Sequence, residues 1–121
     1  MQHVGIDIIE IARIKKAIAR WKQRFLKRIY TEQELQLYRK KPASLAARFA
    51  GKEAVIKALG KQARAIAWKE IEILSDPSGK PLVNLFGEAQ NQANSLGLEN
   101  LAISLSHSRE YAIACVTGKT I

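Results

Sequence analysis

The segment Pro42–Gly60 constrains the fold most, because it has the composition of one long helix that is apolar on nearly every side. Pro42 suits the first turn of a helix, and Gly60 suits the position just after its end. A helix of this kind is normally buried at the centre of a protein. We therefore predict that the remaining elements pack around it.

The predicted central helix nevertheless carries four charged residues: Arg48, Lys52, Glu53 and Lys57. Helical periodicity places the first two on one side and the last two on roughly the opposite side. Buried charges are costly unless they are paired, bind a metal or line a cleft. Glu53 and Lys57 either form an ordinary weak ion pair or mark a ligand site. Three alanines beside this pair leave room for a ligand: Ala46, Ala50 and Ala54.

Length and composition predict one globular domain spanning residues 1–121. No apolar run reaches the roughly 18 residues of a membrane span, and the N-terminus lacks the plan of a signal peptide. The single Cys115 excludes an internal disulfide, and we expect a cytoplasmic location. The 20 basic and 11 acidic residues give a net charge of +9, which predicts an acidic partner: nucleic acid, a membrane surface or an acidic protein.

The segment from Glu10 to Ile29 has the periodicity of an amphipathic helix, with a possible break at Lys22–Gln23. Its apolar stripe consists of Ile11, Ile14, Ile18, Trp21, Phe25 and Ile29. Its basic surface consists of Arg13, Lys15, Lys16, Arg20, Lys22, Arg24, Lys27 and Arg28. Charge runs are usually just solvated, but only Glu10 opposes this one. We therefore predict that the basic surface docks an acidic partner.

Alternating apolar residues and turn formers predict an α+β fold, in which an antiparallel sheet carries the long central helix and further helices. The predicted strands are Val4–Ile9, Lys69–Leu74, Pro81–Leu85, Leu101–His107 and Tyr111–Thr117. Further helices are predicted from the capping box at Thr31–Glu34 and over Phe86–Leu96, with a loop over residues 61–66.

Two strands carry more specific expectations. In the second strand, Glu70 and Glu72 alternate with Ile71 and Ile73, which predicts a half-buried strand with the glutamates on the polar side. In the last strand, Cys115 is expected in the core, and the small Ala112 and Ala114 are a weak sign of contact with another subunit.

Two carboxylates occupy improbable positions, since Asp7 interrupts an apolar strand and Glu53 lies in the central helix. Asp7 either caps the helix that follows or binds a metal ion. Ligation by one or two carboxylates, completed by water and phosphate, is typical of Mg²⁺. Lys57 would then contact a phosphate oxygen, and Lys80 and Arg48 are further phosphate candidates.

His107 lies on the apolar side of its strand but at the strand end, so it is either a core residue or a catalytic one. The chain has neither of the familiar glycine-rich nucleotide-binding motifs. The residues alone therefore indicate Mg²⁺-dependent phosphate chemistry with a basic docking helix. The alternative is a basic nucleic-acid-binding module without catalysis, but Trp21 and Phe25 lie on the apolar stripe and would leave no aromatic platform for bases.

Four blocks, which occur in order and span nearly the whole chain, together resemble the holo-[acyl-carrier-protein] synthases, the small trimeric type of 4'-phosphopantetheinyl transferase. The blocks are Gly5-Ile6-Asp7-Ile8 followed by Arg13, Arg48-Phe49-Ala50-Gly51-Lys52-Glu53-Ala54 with Lys57-Ala58, Gly79-Lys80-Pro81, and Ser104-Leu105-Ser106-His107 with Tyr111-Ala112. Gly51 and Leu105 depart from the residues common in the family, at positions that do not touch the chemistry.

This resemblance implies the 4'-phosphopantetheinyl transferase fold and its reaction. A serine of apo acyl carrier protein attacks coenzyme A, phosphopantetheine is transferred, and adenosine 3',5'-bisphosphate leaves, in fatty acid biosynthesis. The resemblance implies Mg²⁺ at Asp7 and Glu53, with Lys57 at the phosphoryl group; these three are the implied catalytic residues. Glu53 would also activate the serine through a water, although a metal-bound carboxylate is a poor base.

The resemblance also implies where the two substrates bind. The implied coenzyme A ligands are Arg48, Lys57, Gly79, Lys80, Pro81 and His107, partly from a neighbouring subunit of a homotrimer. The acidic carrier protein would dock on Arg13, Lys16, Arg20 and Arg24, which explains the net charge without nucleic acid or a membrane. A broader, two-lobed transferase is disfavoured by the single-domain length.

Overall fold

The computed structural model describes residues 1–60 and 65–120, so most of the loop predicted over residues 61–66 lies outside the described residues. The elements in chain order are β1 (Gln2–Glu10), α1 (Ile11–Trp21), α2 (Gln23–Ile29), α3 (Glu32–Tyr38), α4 (Pro42–Leu59), a 3₁₀ turn (Trp68–Glu70), β2 (Ile71–Ser75), β3 (Pro81–Leu85), α5 (Gly87–Leu96), β4 (Leu98–His107) and β5 (Tyr111–Thr120).

The strands form two antiparallel sheets. Three strands lie in the order β1-β5-β4, and β2 pairs with β3 alone as a hairpin. The α+β class and the long central helix are therefore confirmed, with the strands divided between two sheets. Within the described residues, no helix is long and apolar enough to cross a bilayer.

Helix α4 is the buried centre of the fold, as predicted, and Gly60 follows it with φ of +90°. The helix lies unusually close to β1 at Gly5, where a Cβ atom would be only 1.8 Å from the Ala54 carbonyl oxygen. One face of α4 is made of fully buried alanines: Ala46, Ala50 and Ala54. The expectation that these alanines leave room for a ligand is therefore wrong, since their small size serves the close packing of helix and sheet.

The sequence left open whether the helix breaks at Lys22–Gln23, and the structure shows a break at Lys22, which has φ of +50°. The assignment of Trp21 to the buried stripe is wrong, because its side chain is 46% exposed. Its ring lies 4.8 Å from the Arg20 guanidinium carbon and 5.9 Å from that of Arg24. The periodicity of one continuous helix fails here because α1 ends at Trp21 and the chain changes direction.

The capping box at the start of α3 is confirmed. The Glu34 amide donates to Thr31 Oγ1 at 3.2 Å, and the Thr31 amide donates to Glu34 Oε1 at 2.8 Å. Helix α5 also ends as predicted, at a left-handed Gly97 with φ of +68°.

The assignments on β5 are reversed by the structure. Ala112 and Ala114 are fully buried, and they lie on the side of the sheet that packs against α4. Cys115 is exposed on the opposite side, so its assignment to the core is wrong, as is the sign of a subunit contact at the alanines. Both sides of this strand are apolar, and sequence alternation alone could not distinguish them.

The second strand also begins later than expected. Residues Trp68–Glu70 form a 3₁₀ turn, and β2 begins at Ile71. Glu72 is buried, where the alternation indicated a polar, solvent-facing side. Its carboxylate accepts hydrogen bonds from Thr31 Oγ1 at 2.6 Å and from Asn84 Nδ2 at 3.3 Å, which satisfy the buried group.

Candidate active site

Asp7 on β1 is bound by Lys57 on α4, so this ion pair joins the same two elements that approach closely at Gly5. Lys57 Nζ donates to Asp7 Oδ1 at 3.0 Å and to the Ile6 carbonyl oxygen at 2.9 Å. The capping alternative for Asp7 is excluded, because Glu10 is the N-cap residue of α1 and that cap has no side-chain hydrogen bond. The simple Glu53–Lys57 ion pair is also wrong, since Lys57 pairs with Asp7.

Glu53 completes what we call the carboxylate cluster, which consists of Asp7, Glu53 and Lys57. Partial burial raises the pKa of Glu53, the negative charge of Asp7 raises this pKa further, and Lys57 lowers it. Two neighbouring carboxylates of which one resists ionisation form a site that a divalent cation would stabilise. Asp7 on β1 and Glu53 on α4 are 46 positions apart in the sequence, and the fold brings them together.

The donor set of the carboxylate cluster fits Mg²⁺ with few protein ligands. Across residues 1–60 and 65–120, no group of three or more His, Cys, Asp or Glu side chains is placed to hold a metal ion. The protein therefore offers two carboxylates at this position, and Mg²⁺ commonly fills its remaining coordination sites with water and substrate phosphate.

Lys80 lies at the end of the tight turn that joins β2 and β3. Gly79 takes φ of +90°, and Asp76 Oδ1 accepts hydrogen bonds from the Ser78 amide at 2.8 Å and the Lys80 amide at 3.0 Å. Hydrogen bonds from Ser78 and Lys80 lower the pKa of Asp76, which keeps it ionised as a turn-stabilising acceptor. The turn is thus well ordered and presents the exposed Lys80 side chain to solvent.

His107 is exposed at the end of β4, opposite Ala112 on β5, so the core alternative for this histidine is wrong. Within the described part of the chain, no hydrogen bond or ion pair joins Lys80 or His107 to the carboxylate cluster. The structure of one chain thus brings Asp7, Glu53 and Lys57 together, and it does not join the other predicted phosphate ligands to them.

Arg48 lies on a different side of α4 and faces the β2–β3 hairpin. Its Nε donates to the Ile73 carbonyl oxygen at 3.1 Å, and its Nη2 donates to Ser75 Oγ at 3.1 Å. Its guanidinium carbon is 3.7 Å from the centre of the Tyr38 ring, and burial lowers its pKa. These contacts give Arg48 a structural role between α4 and the hairpin. Its phosphate-binding role stays a prediction.

Sequence reasoning missed the buried ion pair between Lys52 and Glu34. Lys52 Nζ lies 2.8 Å from Glu34 Oε1, and both side chains are fully buried. Burial lowers the pKa of Lys52, while the charge of Glu34 opposes that effect. A signal was available, because a lysine in an apolar helix needs a partner. Lys52 contacts Glu34 Oε1, the oxygen that also accepts the capping-box hydrogen bond from the Thr31 amide.

The basic surface is exposed along its whole length, from Arg13 on α1 to Arg28 on α2. None of its eight residues forms an ion pair with an acidic residue of the described chain. A groove of about 400 Å³ on this surface is lined by Trp21, Arg24, Phe25 and Arg28. The predicted docking residues Arg13, Lys16, Arg20 and Arg24 therefore lie on an uncompensated cationic face with one exposed aromatic ring.

A comparison with known families defines the class of protein that this fold and cluster represent. Residues 3–116 match the family model of the 4'-phosphopantetheinyl transferase superfamily, so the chain belongs to that superfamily of group-transfer enzymes. This match covers all three residues of the carboxylate cluster.

Within the superfamily, the chain groups with the holo-[acyl-carrier-protein] synthases, and the resemblance drawn from the four blocks is confirmed. It is 55% identical over 119 residues to the holo-[acyl-carrier-protein] synthase of Dehalococcoides mccartyi strain CBDB1, which covers 98% of this chain and 99% of that one. The synthase structure from Neisseria meningitidis matches with a TM-score of 0.88 and 30% identity over 98% of both chains. The Helicobacter pylori synthase in complex with coenzyme A matches with a TM-score of 0.85 and 36% identity, covering 96% of this chain and 99% of that one.

Proposed function

We propose that this chain transfers 4'-phosphopantetheine from coenzyme A to a serine of apo acyl carrier protein, releasing adenosine 3',5'-bisphosphate. The reaction is Mg²⁺-dependent, serves fatty acid biosynthesis and takes place in the cytoplasm. The observation that carries this proposal is the convergence of Asp7, Glu53 and Lys57 in a chain more than half identical to a holo-[acyl-carrier-protein] synthase.

In this proposal, Asp7 and Glu53 hold Mg²⁺. When bound, the ion neutralises negative charge on the pyrophosphate of coenzyme A and polarises the phosphoryl group. Lys57 lies within reach of the same position and contributes a positive charge and hydrogen-bond donors to a phosphate oxygen. The family resemblance gives Glu53 the additional role of accepting the serine proton through a water, which Mg²⁺ at the same carboxylate would oppose by lowering its basicity.

Coenzyme A phosphates are proposed to bind Lys80 and His107, with Gly79 and Pro81 shaping the turn and Arg48 as a further ligand. The solved Helicobacter pylori relative in complex with coenzyme A supports this substrate. Because one chain does not join these residues to its carboxylate cluster, we propose that adjacent subunits complete each site. A homotrimer with sites at its subunit interfaces follows from that arrangement and from the family resemblance.

The outer face of the three-stranded sheet supports this assembly. It presents a contiguous set of exposed residues, most of them apolar: Val4, Ile6, Ile8, Tyr111, Ile113 and Cys115. Ile6 on this face is 54% exposed. Large apolar patches of this kind usually mark protein interfaces. We refer to these six residues as the outer sheet face and assign them to the subunit contact.

The basic surface is proposed to dock the acidic carrier protein, with Arg13, Lys16, Arg20 and Arg24 as its main contacts. Long-range attraction between a cationic face and an acidic partner accelerates association and orients the encounter. Since the face has no acidic partner of its own among the described residues, its charge is available for this purpose.

One observation favours a second candidate, a nucleic-acid-binding module. The Trp21 ring lies beside Arg20 and Arg24 and is exposed. It therefore supplies an aromatic platform, which the assignment of Trp21 to the buried stripe had excluded. A single ring gives limited stacking, and this reading leaves the carboxylate cluster without a role.

The two candidates are distinguished by ligand-dependent melting. A ligand that binds only the folded state raises the melting temperature by an amount that grows with the logarithm of its concentration relative to Kd. Coenzyme A with Mg²⁺ should raise it, and a single-stranded oligonucleotide of equal charge should not. Stabilisation by the oligonucleotide alone would favour the nucleic-acid module.

A further inference from the structure

Within residues 1–60 and 65–120, β2 pairs with no strand other than β3, so one of its edges is open. The backbone groups on that edge are nevertheless hydrogen-bonded. The Ile73 amide donates to Glu34 Oε2 at 2.9 Å, the Ile73 carbonyl accepts from Arg48 Nε at 3.1 Å, and the Ile71 carbonyl accepts from Lys52 Nζ. Charged side chains from α3 and α4 thus take the place of a neighbouring strand.

These side chains are themselves fixed. Lys52 and Glu34 form a fully buried ion pair at 2.8 Å, and Lys52 also donates to the Trp68 carbonyl at 3.3 Å. Among the described residues, no buried side-chain polar atom lacks a hydrogen-bond partner. Directional, charge-assisted hydrogen bonds define one register of the strand against the helix, whereas apolar contacts alone would permit sliding.

The two ends of this connection lie next to residues of the proposed site: a metal-ligand candidate on α4 and a phosphate-binding candidate in the β2–β3 turn. Lys52 is adjacent to Glu53 on α4, and β2 leads after Ser75 directly into the turn that carries Lys80. That turn is held by hydrogen bonds from the Asp76 amide to the Lys80 carbonyl at 2.8 Å and from the Gly79 amide to the Asp76 carbonyl at 2.9 Å. Its position therefore follows that of β2.

We propose that the Glu34–Lys52 pair is a positioning pair, which fixes the Lys80 turn relative to α4 and so sets the geometry of the nucleotide end of the coenzyme A site. This inference rests on the proposed function, in which both the turn and the carboxylate cluster bind coenzyme A. The inference also holds if the turn binds coenzyme A at a neighbouring subunit's site. The pair joins α4 and the turn of the same chain, so α4 still determines where that turn lies.

The test uses the full-length double variant Glu34→Gln/Lys52→Met, which removes both charges with little change in volume. Replacing both members of a buried pair avoids leaving an unpaired charge, so the variant is expected to fold. Its KM for coenzyme A should rise on the order of tenfold, because small displacements of binding groups are costly. Its KM for the carrier protein should change less than about twofold.

Tyr30→Phe is the matched control, since it removes a buried hydrogen bond of 2.7 Å to the Leu45 carbonyl but no bond to β2. It should leave the KM for coenzyme A unchanged. An unchanged KM for coenzyme A in the folded double variant, or an equal rise for both substrates, would overturn the inference. If the double variant is unfolded, Glu34→Asp, which keeps both charges but shortens the acid by one methylene, is measured by the same criteria.

A second readout separates this inference from the proposed function. Calorimetric binding of adenosine 3',5'-bisphosphate is measured for wild type and double variant in the absence of turnover. Wild-type binding that weakens in the variant supports the inference, and equal binding contradicts it. If the wild type neither binds this nucleotide nor transfers phosphopantetheine, the proposed function itself fails.

Discussion

Lys57 on α4 donates a hydrogen bond of 3.0 Å to Asp7 on β1, a residue 50 positions earlier in the chain. This contact explains how an acidic residue is tolerated in an otherwise apolar strand, because a cation from the central helix neutralises it. It also places the Lys57 ammonium group beside two carboxylates, those of Asp7 and Glu53. This is the position that we propose for Mg²⁺ and a substrate phosphate.

Replacing Asp7 by Asn should abolish Mg²⁺-dependent turnover while the protein stays folded. Loss of a direct metal ligand should cost at least as much as the roughly 10- to 100-fold lost when an outer-shell partner is removed. The measurement is initial rate against Mg²⁺ concentration, together with the melting temperature. Glu99→Gln, at an exposed acid on β4, is the control. Retained activity in Asp7→Asn would show that Asp7 serves only the ion pair with Lys57.

Reversing Arg13 and Arg20 to Glu should raise the KM for the carrier protein on the order of tenfold or more, with little effect on the KM for coenzyme A. Both arginines lie on the uncompensated basic surface, and among the described residues neither forms an ion pair with the carboxylate cluster. The double variant Lys40→Glu/Lys119→Glu, at two exposed lysines outside the basic surface, controls for the same change in net charge. Equal effects on both substrates would contradict the docking assignment.

The raised pKa of Glu53 predicts a pH-dependent stability. A carboxyl whose folded pKa lies above its ordinary value of 4.5 stabilises the fold when protonated, and this contribution is lost as pH rises through the folded pKa. In EDTA at pH 7, Glu53→Gln should therefore be more stable than wild type, by up to about 1 kcal/mol because the group is partly solvated. Thermal melts from pH 4 to pH 8 test this.

The stability difference between wild type and Glu53→Gln should disappear at low pH, and Mg²⁺ should reverse it at pH 7 by stabilising only the wild type. A variant that is less stable than wild type in EDTA at every pH would contradict the prediction, since Glu53 would then be a stabilising group rather than a strained ligand.

Ile6→Lys should convert the protein from a trimer to a monomer and remove most of its activity, because a charge in the outer sheet face opposes its burial. Leu37→Lys is a closely matched control, since Leu37 is 53% exposed and Ile6 is 54% exposed. Sedimentation velocity measures the assembly. The same experiment predicts that Cys115 is protected from alkylation in wild type and reactive in Ile6→Lys. A monomeric wild type would contradict this assignment.

The parts of the fold that depend on local chemistry were predictable. The long helix between Pro42 and Gly60, the capping box at Thr31 and the end of α5 at Gly97 all follow from residues that are neighbours in the chain. The sequence left the break at Lys22 open. The exposed Cys115 was not predictable, because periodicity cannot tell which of two apolar sides of β5 meets the core. The exposed Trp21 was not predictable either, because the helical periodicity continues past the end of α1.

The candidate site was likewise predictable from the sequence only in part. Asp7 and Glu53 were identifiable as carboxylates in apolar surroundings, and the structure brings them into one cluster. Their partner relationships depend on tertiary contacts: Lys57 pairs with Asp7 and not with Glu53, and Lys52 pairs with Glu34. No spacing rule connects residues on different elements, so these pairings required the folded chain.

The most direct test of the central claim is an intact-mass measurement of the carrier protein. Apo acyl carrier protein is incubated with this protein, coenzyme A and Mg²⁺, alongside Glu53→Ala and a sample with EDTA. We predict a mass increase equal to one phosphopantetheine with the wild type alone. An unmodified carrier protein in the presence of folded wild type, Mg²⁺ and coenzyme A would contradict the account.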